Sequence, residues 1–103
     1  MASGTLGQAS LAATTNTTVY TVPASTVATF TINVCNRGAS AITVRLAIAS
    51  TATPASEEWI EYDASIPANG VLERTGIVAH AGERVVAYVS AATASINVYG
   101  YEV

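Results

Sequence analysis

Glu57, Glu58, Glu61 and Asp63 form the only dense set of ionisable groups in the chain. Clustered carboxylates can hold a hard cation such as Ca²⁺, which takes oxygen ligands. No Asp-rich loop with a central Gly accompanies them. On a regular strand Glu57, Glu61 and Asp63 share a face with Trp59, and Glu58 points the other way. That pattern predicts a solvated edge, or partners for Arg37, Arg45 or Arg74, and no metal site. Paired carboxylates also serve glycosidases, but so short a chain leaves little room for a sugar cleft. His80 stands alone beside the Ala81-Gly82 turn, and nothing in the spacing makes it converge on Cys35 as base and nucleophile. Asn16-Thr17-Thr18 has the form of a glycosylation acceptor, but the N-terminus lacks the basic start and apolar core of a secretory signal. There is no phosphate-cradling Gly loop, no CxxC and no GxSxG. No catalytic residue and no cofactor is expected.

The elements that would carry these residues follow a rhythm of two. Phe30, Ile32 and Val34 alternate with Thr29, Thr31, Asn33 and Cys35, and Ile42, Val44, Leu46 and Ile48 alternate with Thr43, Arg45 and Ala47. This period marks half-buried strands, because successive side chains leave opposite faces. Strands are predicted over 18–22, 27–36, 41–49, 59–65, 71–79, 83–90 and 95–102. Pro23 ends the first of them, since it offers no N–H to a ladder. Asn36-Arg37-Gly38, Pro67-Ala68-Asn69-Gly70 and Ala81-Gly82 read as turns, 50–56 as a Thr/Ala/Pro loop, and Gly76 as a bulge. Residues 1–17 read as an N-terminal arm or an edge strand near 5–9, with Leu6 and Leu11 as its large apolar residues. An arm of this kind can add itself to a neighbouring subunit. Residues 18–103 form the domain: a single antiparallel β-sandwich of seven to nine strands, jelly-roll-like or immunoglobulin-like.

Two registers follow. A hairpin of the last two strands sets Ser90 against Ser95, Val86 against Tyr99 and Arg84 against Tyr101. Val85, Ala87, Val89, Ile96 and Val98 then share a core face. Arg84, Val86, Tyr88, Asn97, Tyr99 and Tyr101 share the other, an aromatic surface with one Arg of the kind found at buried contacts. A four-residue loop after Asn36, by contrast, would set Ile42, Val44 and Leu46 against Cys35, Asn33 and Thr31. That mismatch is removed by an odd loop pairing Ile32 with Leu46, or by placing the two strands in different sheets, the sandwich arrangement favoured here. The expected core is Phe30, Ile32, Val34, Val44, Leu46, Ile48, Trp59, Val85, Val89, Ile96 and Val98.

Composition narrows the partners. Of 103 residues, 50% are hydrophobic and only 11% charged, with four Arg and no Lys and a formal net charge of −3. A sparsely charged surface is a weak defence against association, which points to a homo-oligomer or a lattice contact. Nucleic acid needs a positive footprint, and no apolar run approaches the ~20 residues that span a bilayer, so neither is an expected partner. One cysteine cannot make an intrachain disulfide, which fits assembly in a reducing compartment.

Several phrases recur in order: TTVYTVPAS at 17–25, VCNRG at 34–38, VRLAIA at 44–49, IEYDASIPANGVLERTGIV at 60–78 and VYGYE at 98–102. From residue 17 onward the chain resembles small virion structural proteins of tailed bacteriophages. The family form has Gly after the Pro-Ala pair, where Ser25 stands here. The resemblance implies a non-enzymatic virion protein, assembled in the host bacterial cytoplasm: a capsid decoration or cement protein. Its partners would be further copies of itself, a trimer being compatible, and the major capsid protein. The interface candidates are Arg84, Val86, Tyr88, Asn97, Tyr99 and Tyr101 together with Leu6 and Leu11. The alternative is a tail or fibre component binding a host surface glycan, with Tyr99 or Trp59 beside the carboxylates as a stacking platform.

Overall fold

The computed structural model describes residues 2–103. Eight strands are arranged in two four-stranded antiparallel sheets. They are β1 (Ser3–Ser10), β2 (Thr17–Thr21), β3 (Val27–Asn36), β4 (Ile42–Ala49), β5 (Trp59–Ile66), β6 (Val71–His80), β7 (Arg84–Val89) and β8 (Ala94–Glu102). A single 3₁₀ turn, Ser56–Glu58, precedes β5. The first sheet has the order β1-β8-β3-β6 and the second β2-β7-β4-β5. Strand one thus pairs with eight and three with six in one layer, while two pairs with seven and four with five in the other. That nesting is a jelly roll, a long hairpin wound into two sheets.

The strands form where expected because β-branched residues alternate with Thr, Ser and Ala between turn residues. Gly70 N–H donates to the Pro67 carbonyl at 2.9 Å and Asn69 takes φ +58°, closing the β5–β6 turn. The register of β3 on β6 slips beside Gly76, whose φ is +69°. Ser25 sits at φ +59°, the left-handed region where Gly is at ease and other residues are strained.

The inner faces supply the core: Phe30, Ile32, Val34, Ile96 and Val98 from the first sheet, Val44, Leu46, Val85, Ala87 and Val89 from the second. Ile48 packs against this cluster half-buried. Trp59 does not join it. It lies opposite Ala47 on the outer side of the second sheet and covers Ala47, Ala49 and Val86.

The predicted β7–β8 hairpin does not form. β7 lies between β2 and β4, and β8 between β1 and β3, in opposite layers. Val86 faces Ala47 and Thr18, Arg84 faces Ala49 and Thr21, and Tyr99 and Tyr101 face Thr31 and Thr29. Ser90 exchanges hydrogen bonds with Thr43, and Ser95 lies between Cys35 and Ser10. The core faces were nonetheless read correctly, since either arrangement turns the same alternate residues inward. β3 and β4 lie in different sheets, the arrangement favoured over an odd loop pairing Ile32 with Leu46.

Residues 3–10 are an edge strand of this chain's own first sheet, paired along β8 with one slip between Thr5 and Gly7. Leu6 packs against the core, and Leu11, 2% exposed, lies within it. Leu11 is therefore no surface contact residue, while Leu6 stays half-buried. A buried apolar side chain here closes the gap where the chain crosses from one layer to the other, which alternation alone does not reveal.

Two polar ties fasten opposite ends of the sandwich. At one, buried Asn36 donates to the carbonyls of Ser40, Ile66 and Pro67 at 2.8, 3.3 and 3.1 Å. Its Oδ1 accepts from Gly38 N–H at 3.0 Å and the Thr93 hydroxyl at 2.9 Å. At the other, the Tyr20 hydroxyl donates to Glu102 across the layers at 2.6 Å, and Ala2 N–H reaches the same carboxylate at 3.2 Å.

Candidate functional site

The winding leaves two outer sheet faces. On the first sheet the register aligns rows of side chains across β1, β8 and β3. Ser3, Tyr101 and Thr29 form one row, Thr5, Tyr99 and Thr31 the next, and Gln8, Asn97 and Asn33 a third. β6 extends these rows with Val78 and Glu73. Tyr99, Tyr101, Val71 and Val78 are exposed. The Tyr99 hydroxyl donates to Glu73 at 2.8 Å, and this bond pushes the phenol's pKa above the usual tyrosine range. Hydroxyls, amides and two tyrosines on one sheet face give adaptable hydrogen bonding with rigid aromatic area.

The outer face of the second sheet is different. β5 is irregular, with register slips that set Ala64 opposite Val44, Glu61 opposite Leu46 and Trp59 opposite Ala47. Tyr62 and Asp63 are thus two residues against the single Arg45, and Asp63 takes φ +53°. Regular alternation would send their side chains to opposite faces. The bulge brings both onto Arg45, the re-aiming that bulges perform. The guanidinium carbon lies 4.3 Å from the centroid of Tyr62 and 4.5 Å from that of Tyr88. Arg45 Nε donates to Asp63 at 2.7 Å, and this carboxylate holds the guanidinium more firmly protonated. Trp59 stands edge-on to Tyr62 at 5.5 Å. With Ser56 these two rings line a groove of ≈ 400 Å³.

The acidic cluster is dispersed by the same irregularity. Asp63 serves Arg45, and Glu61 accepts from Arg74 at 2.8 Å. Glu58 accepts from the backbone N–H groups of Ala55 and Ser50 at 2.8 and 3.2 Å, and these bonds lower its pKa. Among the described residues no three acidic, His or Cys side chains gather as a metal cage. His80 lies at one end of the β3–β6 pair and Cys35 at the other, and the His80 ring contacts the Ala81 carbonyl at 2.9 Å.

The predicted contact set is divided between the faces. Asn97, Tyr99 and Tyr101 lie on the first sheet, Arg84, Val86 and Tyr88 on the second. Val86 is sealed beneath Trp59, and Arg84 keeps a buried Nε without an acceptor. Arg45 and Tyr62 were missed as site residues. The adjacent apolar pair Trp59-Ile60, which breaks alternation, was the available signal of an irregular strand. Scans against protein-family models, curated proteins and solved structures find no match to this chain.

Proposed function

We propose that this chain is a non-enzymatic structural protein of a tailed-phage virion, a capsid decoration or cement protein that binds copies of itself and the major capsid protein. The observation that carries the reading is the outer face of the first sheet. Tyr99 and Tyr101 stand exposed upon it, and Glu73 is the single carboxylate in its aligned rows. Such a face binds by covering aromatic and hydroxyl-bearing surface, at about 25 cal/mol per Å² of apolar area before association costs. Low charge and the resemblance read in the sequence support the same reading. Copies held on a shell add weak contacts into avidity.

Quantitative mass spectrometry of purified particles tests it. Hundreds of copies per particle are expected, in the head fraction. A dozen or fewer, or confinement to tails, would refute the cement role. The Tyr99→Ala, Tyr101→Ala double variant should fold yet decorate heads less fully, and equal occupancy would remove this face from the contact.

A further inference from the structure

The opposite face has a chemistry that the cement role does not use. Tyr62 is 58% exposed although it is one of the larger apolar-bodied side chains of the domain. Arg45 lies over its ring at 4.3 Å, and the Trp59 ring stands roughly perpendicular to it at 5.5 Å. A bulged edge strand with a non-Gly residue at positive φ is required to place it there. Backbone strain of this kind gathers where a side chain must be aimed.

We propose that the groove between Ser56, Trp59 and Tyr62 binds a neutral carbohydrate. One pyranose ring stacks on Tyr62, and its hydroxyls bond to the Ser56 hydroxyl and the Asp63 carboxylate. Charge selects this class of ligand. Arg45 and Asp63 neutralise each other at 2.7 Å, so this pair presents no free cation to an anionic ligand. Half of the Asp63 side chain nevertheless remains open to solvent, at 47%, with acceptor capacity to spare. The negative face of an aromatic ring attracts the polarised C–H groups along one side of a sugar ring. A groove of ≈ 400 Å³ falls within the range of small-ligand sites. Two rings with a polar rim are too little for a stable protein interface, which covers about 800 Å² per partner. The inference stands apart from the cement reading, because it uses the other sheet.

The chain has one Trp, so its fluorescence reports this groove alone. The full chain is titrated with maltohexaose, cellohexaose, chitohexaose and hexagalacturonate, and a printed array of neutral bacterial glycans widens the search. A saturable change in Trp59 emission with a neutral sugar is expected, at millimolar concentration for a single site. Saturation-transfer NMR on the same sugar should agree. Tyr62→Ala should weaken binding by about tenfold or more, whereas Tyr62→Phe, which keeps the ring, should retain it. Binding of the acidic hexamer only, binding indifferent to Tyr62→Ala, or no response from any neutral glycan would each overturn the assignment.

Discussion

Asn36 exchanges five hydrogen bonds with residues of three loops while fully buried. A buried polar group without partners costs about 1–3 kcal/mol. Asn36→Ala strands three carbonyls and two donors, so a loss of roughly 3 kcal/mol or more is expected in urea unfolding. Asn36→Asp should be no better, since a carboxylate offers no donors to the Ser40, Ile66 and Pro67 carbonyls. Tyr20 is the second such residue. Burial, then its bond to Glu102, raises its pKa well above the ordinary value of about 10. The folded state therefore keeps a proton that the unfolded chain releases. Stability is whole below pH ~10 and declines as pH rises beyond it. Melting curves from pH 8 to 11 should show that decline, and Tyr20→Phe should flatten it. At neutral pH Tyr20→Phe should cost about 1.5–3 kcal/mol, the range for a bond to a charged acceptor.

Strand positions were legible, and strand partners were not. The bounds of β3 and β8 lie within a residue of the alternating pattern, because a period of two is written locally. Pairing is not local. Val85, Val89, Ile96 and Val98 point at one core whether β7 and β8 are neighbours or face each other across the sandwich, and a hairpin is merely the shorter connection. Asn36 was read as a turn residue for the same reason, since its partners come from 66–67 and 93. Arg45 and Arg74 were legible as partners of the carboxylates, but the stacking of Arg45 on Tyr62 was not, because only a bulge joins them. Local strain, by contrast, can be tested directly. Ser25→Gly relieves a left-handed residue that costs about 1–2 kcal/mol, against a glycine penalty of about 0.5–1 kcal/mol, so a gain of a few degrees in Tm is expected. Gly100→Ala should act in the opposite direction, because a Cβ there would strike the Thr29 carbonyl and Phe30. Calorimetry of the pair should give shifts of opposite sign.

At the scale of the molecule, the nested pairing makes most contacts long-range. The outermost pair, β1 on β8, closes nearly the whole chain. Folding in milliseconds to seconds is expected, as for other sandwiches of non-local topology. Stopped-flow refolding monitored by Trp59 checks this, and a microsecond phase accounting for all the amplitude would contradict it. The two outer faces are separate layers of one slab of 41 × 27 × 19 Å. A particle gripping the Tyr99–Tyr101 side would leave the Trp59–Tyr62 side looking outward.

Ala2 and Glu102 are joined by backbone and side-chain hydrogen bonds at 2.8 and 3.2 Å. Peptides fused before residue 2 and after residue 103 would therefore leave from the same corner, and a few glycines could stitch the two together. Cutting the resulting ring within the exposed stretch 51–53 would interrupt no strand. Such a circular permutant should melt within a few degrees of the parent and would offer a second place, near the aromatic groove, from which to hang a cargo.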